Sequence, residues 1–408
     1  MLESVSDIQV LSGKRVTLGV TGSIAAYKAV ALASALHQAG AIVDVAMTPD
    51  AVRFIQPLSF QAITHRPVFV DLWAPGMETD IAHVSLGRES DVIVVAPATA
   101  NILAKLAHGI ADDPVSVTAL AARCPLLVAP AMDAGMFTHP ATAANVAVLR
   151  ERGVCVVDPE EGHLASGLSG LGRLAAPERI IDHIRATLGA HGDLAGRRVL
   201  VTAGGTREPI DPVRFITNHS SGKMGFALAE AARDRGARVG LVTAPTALRA
   251  PGGVALIEVH TAAQMLEAIT QRYADLDALV MTAAVSDFRV ENSAAQKIKR
   301  GETALDLRLV PNPDLLAETA ALEVDNHPVR VGFAAETQDL LQHAAEKLER
   351  KRLDLIVAND VSGDVFGSDS NQVTLLWADG REAELPRLAK TIVAERVLDA
   401  VSELLRTR

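Results

Sequence analysis

A chain of 408 residues is too long for one ordinary hydrophobic core, so two domains of roughly 200 residues are expected. Hydrophobic residues make up 49%, yet no run of 18 is free of polar breaks, which excludes a membrane-spanning helix. A net charge of −10 and 3% aromatic residues disfavour non-specific nucleic-acid binding and base stacking.

The opening MLESVSDIQV has neither a basic n-region nor an apolar h-region, so no export signal is expected. The two cysteines, Cys124 and Cys155, cannot build a disulfide framework and suit a reducing cytoplasm. From residue 15 onward, β-rich apolar runs alternate with Ala/Leu-rich amphipathic ones. Residues 15–20, 42–46, 91–96, 125–129 and 154–157 read as strands, and 24–39, 51–63, 140–152 and 177–188 as helices. That alternation predicts βαβ units and a parallel sheet covered on both faces. The stretch LGAHGDLAGRR, 188–198, then carries three glycines and no period, predicting domains over 1–190 and 191–408. The pattern restarts with strands at 198–202, 238–243, 276–282, 330–334 and 355–359 and helices at 223–235 and 340–352. The halves open alike, GKRVTLGVTGS at 13 and GRRVLVTAGGT at 196, each basic, then β-branched, then Gly-rich. The expected fold is α/β with two doubly wound parallel-sheet domains. Rossmann-like folds share this opening, so the likeness alone does not establish duplication.

In the first half, GVTGSIAAYKA places Gly22 where the backbone must come close. The amides of Ser23 and Ile24 follow at a helix start, either as an anion cradle or as an ordinary βα turn. Pro97, Thr99 and Asn101 lie just past a buried strand, at the sheet edge where open α/β sheets bind ligands. Their small hydroxyl and amide groups suit a flat heterocycle better than a metal. His83, before that strand, is a catalytic candidate or a structural histidine.

TGSIAAYK, HVSLGRESD, APATAN with AK and GIADD beyond it, and PAMDAGMF together resemble the flavin-dependent cysteine decarboxylase family, in one order over residues 13–188. The resemblance implies a flavodoxin-like domain holding FMN. Its phosphate would lie near Gly22, Ser23 and Ile24, and Thr48, Pro97, Thr99 and Asn101 would line the cofactor. His83 would be the catalytic histidine, reaching a flavin on the neighbouring subunit of a trimer. The family's P-x-M-N-x-x-M-W stretch grips the substrate carboxylate and here reads Pro130 to Phe137, assigning that role to Met132 and Asp133. The family's Ala-Cys-Gly flap, whose thiol donates a proton, here reads Ala165-Ser166-Gly167, placing Ser166 in the catalytic position. An ionised aspartate only accepts hydrogen bonds, and touching carboxylates repel unless one is protonated. The expectation is an Asp133 kept neutral by the flavin, Met132 and Met136, with decarboxylation falling as pH rises.

In the second half, TAGGTREPIDPVRFITNHSSGKMG is long and rich in donors, among them Arg207, Arg214, Asn218, His219 and Lys223. It reads as a cradle for an anionic substrate or as a solvated loop. Asp287 ends a buried strand, QKIKRG adds Lys297, Lys299 and Arg300, and Lys347 and Lys351 stand four apart on one helix. These cations are wet faces or converge on a triphosphate. No Walker A motif is present. DPVRFITNHSSGKMG, AAVSDF, KIKR, NPDLL, GFAAET and LIVAND resemble phosphopantothenate–cysteine ligase, over 196–405. The resemblance implies CTP and Mg2+. The carboxylate of 4′-phosphopantothenate attacks the α-phosphate, pyrophosphate leaves, and the amine of cysteine displaces CMP. Asn218 would hold the acyl-cytidylate, Arg214 the substrate, and Lys297 the charge developing on the phosphates. Ala283, Asp287, Asn312, Pro313, Asp314, Leu315, Leu316, Phe333, Lys347 and Lys351 would line the CTP site. A dimer through this half is expected, and no metal ligand can be named.

The leading reading is a cytoplasmic, homo-oligomeric bifunctional enzyme of coenzyme A biosynthesis. It takes 4′-phosphopantothenate, cysteine and CTP, and engages neither nucleic acid nor membrane. The alternative keeps the ligase and makes the first half a flavin-binding or oligomerising scaffold, because Asp133 and Ser166 replace Asn and Cys. A two-domain dehydrogenase is disfavoured, since Gly204-Gly205-Thr206-Arg207 lacks the G-x-G-x-x-G spacing.

Overall fold

Val- and Ala-rich runs without polar alternation need cover on both faces, and they form the central strands of two sheets. A computed structural model describes residues 10–73, 82–300, 304–336, 340–360 and 368–408. It divides into two compact units, Met1–Gly189 and Ala190–Arg408.

In the first unit the parallel strands are β1 (Arg15–Val20), β2 (Ile42–Met47), β3 (Val68–Phe69), β4 (Val92–Ala98), β5 (Leu126–Pro130) and β6 (Cys155–Val156). Helices α1 (Ala26–Gln38), α2 (Pro49–Val52), α3 (Pro57–Thr64), α4 (Ala82–Glu89), α5 (Ala100–His108), α6 (Pro114–Ala121), α7 (Ala134–Phe137), α8 (Pro140–Glu151) and α9 (Pro177–Gly189) complete it. The sheet order is β3-β2-β1-β4-β5-β6, so the winding reverses between β1 and β4. The doubly wound parallel sheet is as expected. Its strand order is the 3-2-1-4-5-6 of dinucleotide-binding folds, where flavodoxins run 2-1-3-4-5, and both place the ligand crevice at the reversal. At the opposite edge, buried Asp44 accepts from Arg15 Nε at 2.6 Å and Arg66 Nε at 2.5 Å. That end is closed by ions, which leaves the carboxyl edge for chemistry.

The helix expected over 51–63 is two pieces. Pro57 excludes Gln56 from the helical region, and Gln56 is extended at φ −79, ψ 143. An unforeseen antiparallel hairpin, β7 (Glu160–His163) and β8 (Ser169–Arg173), precedes α9. Gly172 pins it: a Cβ there would lie 2.2 Å from the Met132 carbonyl oxygen, and the Met132 amide donates to the Gly172 carbonyl at 3.0 Å.

The second unit contains β9 (Arg198–Ala203), β10 (Arg207–Pro209), β11 (Phe215–Thr217), β12 (Arg238–Thr243), β13 (Ala255–Glu258), β14 (Ala278–Met281), β15 (Phe288–Val290) and β16 (Leu309–Pro311). It continues with β17 (Val329–Glu336), β18 (Leu355–Asp360), β19 (Ser370–Trp377) and β20 (Glu382–Ala389). Its helices are α10 (Lys223–Asp234), α11 (Ala262–Thr270), α12 (Leu315–Ala320), α13 (Leu340–Arg350) and α14 (Lys390–Thr407). The main sheet runs β13-β12-β9-β14-β17-β18-β19-β20. The first six strands in that order are parallel and repeat the winding of the first unit; β19 and β20 are antiparallel. This corrects the expectation of a purely parallel sheet. A parallel return needs a crossover of a dozen or more residues, and only 361–369 separate β18 from β19. One face of α14 (Val393, Ala394, Val397, Leu398, Val401) joins Val199, Val201 and Ala203 of β9 in a single core.

Candidate active sites

At the reversal of the first sheet, the turns after β1, β2, β4 and β5 are neighbours because their strands pair side by side. A hydroxyl net joins two of them. Thr21 Oγ1 donates to the Pro97 carbonyl at 2.6 Å and accepts the Thr99 amide at 3.2 Å. Thr99 caps α5 by accepting from the Ile102 amide at 3.3 Å, with Asn101 in the same first turn, and Thr48 caps α2 through the Ala51 amide at 3.2 Å. Gly22 is needed because a Cβ would lie 2.5 Å from the Cβ of Asp50. The Ser23 amide, expected to face an anion, instead donates to the Thr21 carbonyl at 2.8 Å, and Ser23 Oγ accepts from the Ala25 amide at 3.2 Å.

A pocket of about 380 Å³ opens beside this edge. Of the predicted residues, Ser23, Ile24, Met132, Asp133 and Ser166 line it; Gly22, Thr48, Pro97, Thr99, Asn101 and His83 do not. His83 stands in the first turn of α4. Ser166 on the hairpin loop donates through Oγ to Asp133 Oδ2 at 2.6 Å, and the Gly135 amide donates to Asp133 Oδ1 at 3.0 Å as Asp133 caps α7. The Ser166 hydrogen bond, followed by the Gly135 amide, holds the Asp133 carboxyl below the usual carboxylate range. Both hydrogen bonds favour the anion, against the neutral Asp133 expected beside the flavin and the methionines; Met132 lines the pocket as expected, whereas Met136 is exposed and does not. Cys155 is no substitute donor, since burial pushes its thiol up.

In the second unit a pocket of about 780 Å³ gathers Asn218, Ala283, Asp287, Asn312, Pro313, Asp314, Leu315, Leu316, Phe333, Lys347 and Lys351. Asn218 Nδ2 donates to the Val285 carbonyl at 3.1 Å, and Asn312 Nδ2 to the Ser286 carbonyl at 2.8 Å. Asp314 caps α12 and pairs with Lys351, while Lys347 Nζ donates to the Phe333 carbonyl at 2.9 Å. Burial opposes ionisation of Asp314, but the Lys351 ammonium and the Ala317 amide outweigh it and hold its carboxyl below the usual range. The Ser286 hydroxyl, 2% exposed, and Asn312 Oδ1 have no hydrogen-bond partner among the described residues. Buried polar atoms on a pocket wall are ordinarily satisfied, so this wall fits a polar ligand.

Lys297 and Arg214 do not line that pocket. Arg214 Nη2 donates to the Ile298 carbonyl at 2.7 Å, beside Lys297. Buried Asp211 accepts from the amides of Val213 and Arg214, both at 2.8 Å, and of Ile298 at 3.1 Å. In this structure Arg214 therefore anchors the Lys297 loop instead of facing the pocket.

Residues 5–189 match the family model described as Flavoprotein, and 194–405 match the model described as DNA/pantothenate metabolism flavoprotein C-terminal domain. The coenzyme A biosynthesis bifunctional protein CoaBC of Bacillus subtilis is 46% identical over 401 residues, spanning 97% of this chain and 98% of that protein. The chain belongs to that family. Another member, from Escherichia coli K12, is 43% identical over 396 residues, spanning 96% of this chain and 97% of its own. Among solved structures, the FMN-dependent cysteine decarboxylase SpaF is 36% identical and covers 44% of this chain and 97% of its own, with a TM-score of 0.39.

The sequence reading of this family member missed several residues at both sites. Tyr27, Lys28, His163 and Arg173 line the first pocket, and Ser286 and Arg350 the second, where His219 of the expected donor-rich stretch also stands. Arg330, 4% exposed, lies behind the second pocket. Its Nη1 donates to the carbonyls of Lys351 at 2.8 Å and Arg352 at 3.0 Å; its Nη2 donates to the Leu316 carbonyl and to Thr319 Oγ1 at 3.1 Å. One guanidinium thus gathers the backbones of two wall residues, Leu316 and Lys351. A lone arginine opening a strand carries no signal of that role in sequence.

Proposed function

We propose that each catalytic activity of this bifunctional coenzyme A biosynthesis enzyme resides in one unit, the CTP-dependent ligase in the second and the FMN-dependent decarboxylase in the first. The observation that carries the reading is the second pocket, whose wall is drawn from separate stretches between 217 and 351 that match the ligase pattern. Lys347, Lys351 and Arg350 supply cations where a triphosphate's charge lies, and the unpaired Ser286 and Asn312 atoms supply polar contacts. Asn218 is a neutral donor suited to holding an acyl-cytidylate without attacking it. Lys297, on the loop clamped by Asp211 and Arg214, supplies a cation for charge growing at the α-phosphate. The carboxylate of 4′-phosphopantothenate displaces pyrophosphate from CTP, and the amine of cysteine then displaces CMP to form the amide. Among the described residues no group of three or more His, Cys, Asp or Glu could hold a metal ion. Mg2+ therefore enters on the phosphates, as that ion commonly does.

The first unit fits FMN. Ile24 at 61% and Tyr27 at 62% are left exposed at a polar-rimmed carboxyl edge, which a planar heterocycle would cover. Ser23, Thr48, Pro97, Thr99 and Asn101 would hold it, and it supplies a reversible two-electron acceptor for oxidation of the cysteine end of phosphopantothenoylcysteine. Asp133 orients Ser166, which lines the pocket in the position of the family's proton-donating thiol. A hydroxyl is a far weaker acid than a thiol of pKa about 8.5, so proton return limits this half. His83, outside its own chain's pocket, acts across a subunit interface in a homo-oligomer built from trimers of the first unit and dimers of the second. Among the described residues no helix is long and apolar enough to cross a membrane, and we place the enzyme in the cytoplasm.

Incubation with 4′-phosphopantothenate, cysteine and each nucleoside triphosphate, followed by mass spectrometry, tests the reading. It expects CMP, pyrophosphate, carbon dioxide and 4′-phosphopantetheine with CTP. Turnover with ATP but not CTP defeats the nucleotide assignment, and an unreacted amide product with no carbon dioxide defeats the decarboxylase.

A further inference from the structure

The first pocket is lined by charges of both signs. One is ionised Asp133, hydrogen bonded to Ser166. Lys28 from the first turn of α1 and Arg173 from the end of β8 also line it. Burial, then the charge of Arg173, pushes the Lys28 ammonium down from its ordinary range, and the Glu160 carboxylate opposes that shift. Glu160 is the register partner of Arg173, but its Oε1 accepts the Ala176 amide at 3.0 Å. Among the described residues neither Lys28 nor Arg173 has an ion pair within 4.0 Å. The backbone at Arg173 is fixed by the adjacent Gly172, which is pinned against Met132, and the Arg173 side chain is exposed.

Two cations on different elements line one cavity, with Glu160 as their nearby counter-charge, and together can receive a compact dianion. We propose that Lys28 and Arg173 form a phosphate-monoester subsite, which receives the 4′-phosphate of phosphopantothenoylcysteine. This rests on the decarboxylase reading of the first unit. Repulsion disfavours seating the dianion on the anionic Asp133, so the charges orient the substrate with its phosphate on Lys28 and Arg173. FMN carries the same chemical group, so the test separates the two sources.

The full chain is compared with Lys28→Met, Arg173→Gln and Arg173→Lys in two arms. One measures carbon dioxide release from phosphopantothenoylcysteine and from its dephosphorylated form. The other measures binding of FMN and of riboflavin to the flavin-free protein by fluorescence quenching. The wild type is expected to prefer the phosphorylated substrate in KM, and Lys28→Met and Arg173→Gln each to reduce that preference by about tenfold or more, the effect of losing one charge-assisted contact. Arg173→Lys retains part of it. If the FMN-to-riboflavin ratio falls instead, the subsite stands and its occupant is the cofactor's phosphate. If neither ratio moves in variants of unchanged circular dichroism, the subsite is overturned. If the wild type releases no carbon dioxide from either substrate, the decarboxylase reading fails, and the flavin arm alone decides the subsite.

Discussion

Replacing Arg330 by methionine removes the fork that ties Leu316, Lys351 and Arg352 together while filling most of the same volume. Three backbone carbonyls lose a donor that is itself only 4% exposed, those of Leu316 and Lys351 on half-buried residues and that of Arg352 on an exposed one. Each orphaned buried acceptor costs about 1–3 kcal/mol. Against this, the variant no longer buries a charge, and burial of that charge is what lowers the Arg330 pKa. Relief of that desolvation offsets part of the loss, so the lower figure per carbonyl applies and the net is about 3 kcal/mol. For a unit of this size each kcal/mol moves Tm by roughly 2–4 °C, giving a fall of about 6–12 °C. The assay is calorimetry of the full chain, following the transition that CTP raises, together with the KM for CTP, expected to rise because Leu316 and Lys351 lose their common anchor. Arg330→Lys keeps the charge without the fork and should fall between. A Tm shift below about 2 °C with an unchanged KM would refute the reasoning.

Lys297→Gln should slow acyl-cytidylate formation by roughly a hundredfold, the usual effect of deleting one group aimed at developing charge, whereas Asn218→Asp should spare formation and impair transfer to cysteine; single-turnover quench measurements separate the two. The Asp133 carboxyl is held low in the folded chain, so the Asp133–Ser166 bond is fully present above the ordinary carboxylate pKa and is lost as pH falls through the depressed value. Proteolysis within 164–168 should therefore stay slow near neutrality and accelerate only on strong acidification. In Asp133→Asn that pH dependence should vanish; an acceleration near pH 7 would contradict an ionised Asp133.

The strand ends were legible where chemistry repeats a pattern. β1 and β12 match the expected 15–20 and 238–243 because an unbroken β-branched run has no competing helical period. In the second pocket Ala283–Asp287 follow a buried strand, where ligand residues are expected. Asn312–Leu316, Phe333, Lys347 and Lys351 were assigned to it only through the family resemblance, since they lie past a short hairpin strand, within a strand, and on or just after a helix. The β7–β8 hairpin was not, since Glu160–His163 and Ser169–Arg173 show neither alternation nor apolar content. With the hairpin unseen, the meeting of Ser166 and Asp133 was also unseen, and so was the charge state of Asp133. The loop-fastening contact of Arg214 was not legible, because a guanidinium beside an anion site and one that fastens a loop look alike in sequence. The partner that distinguishes them, Ile298, is 84 residues away.

The shared core of β9 and α14 sets a timetable for synthesis. Val199, Val201 and Ala203 are made early in the second unit, whereas their partners Val393 and Val397 come almost two hundred residues later. At about 5–20 residues per second this face of the sheet waits roughly 10–40 s on the ribosome for its cover. The first unit behaves alike, because Val16, Leu18 and Val20 of β1 share their core with Ile180, Ile181 and Ile184 of α9, the last helix of that unit. In both units the first strand made is covered by the last helix made, so each nascent domain needs shielding from aggregation until its final helix emerges.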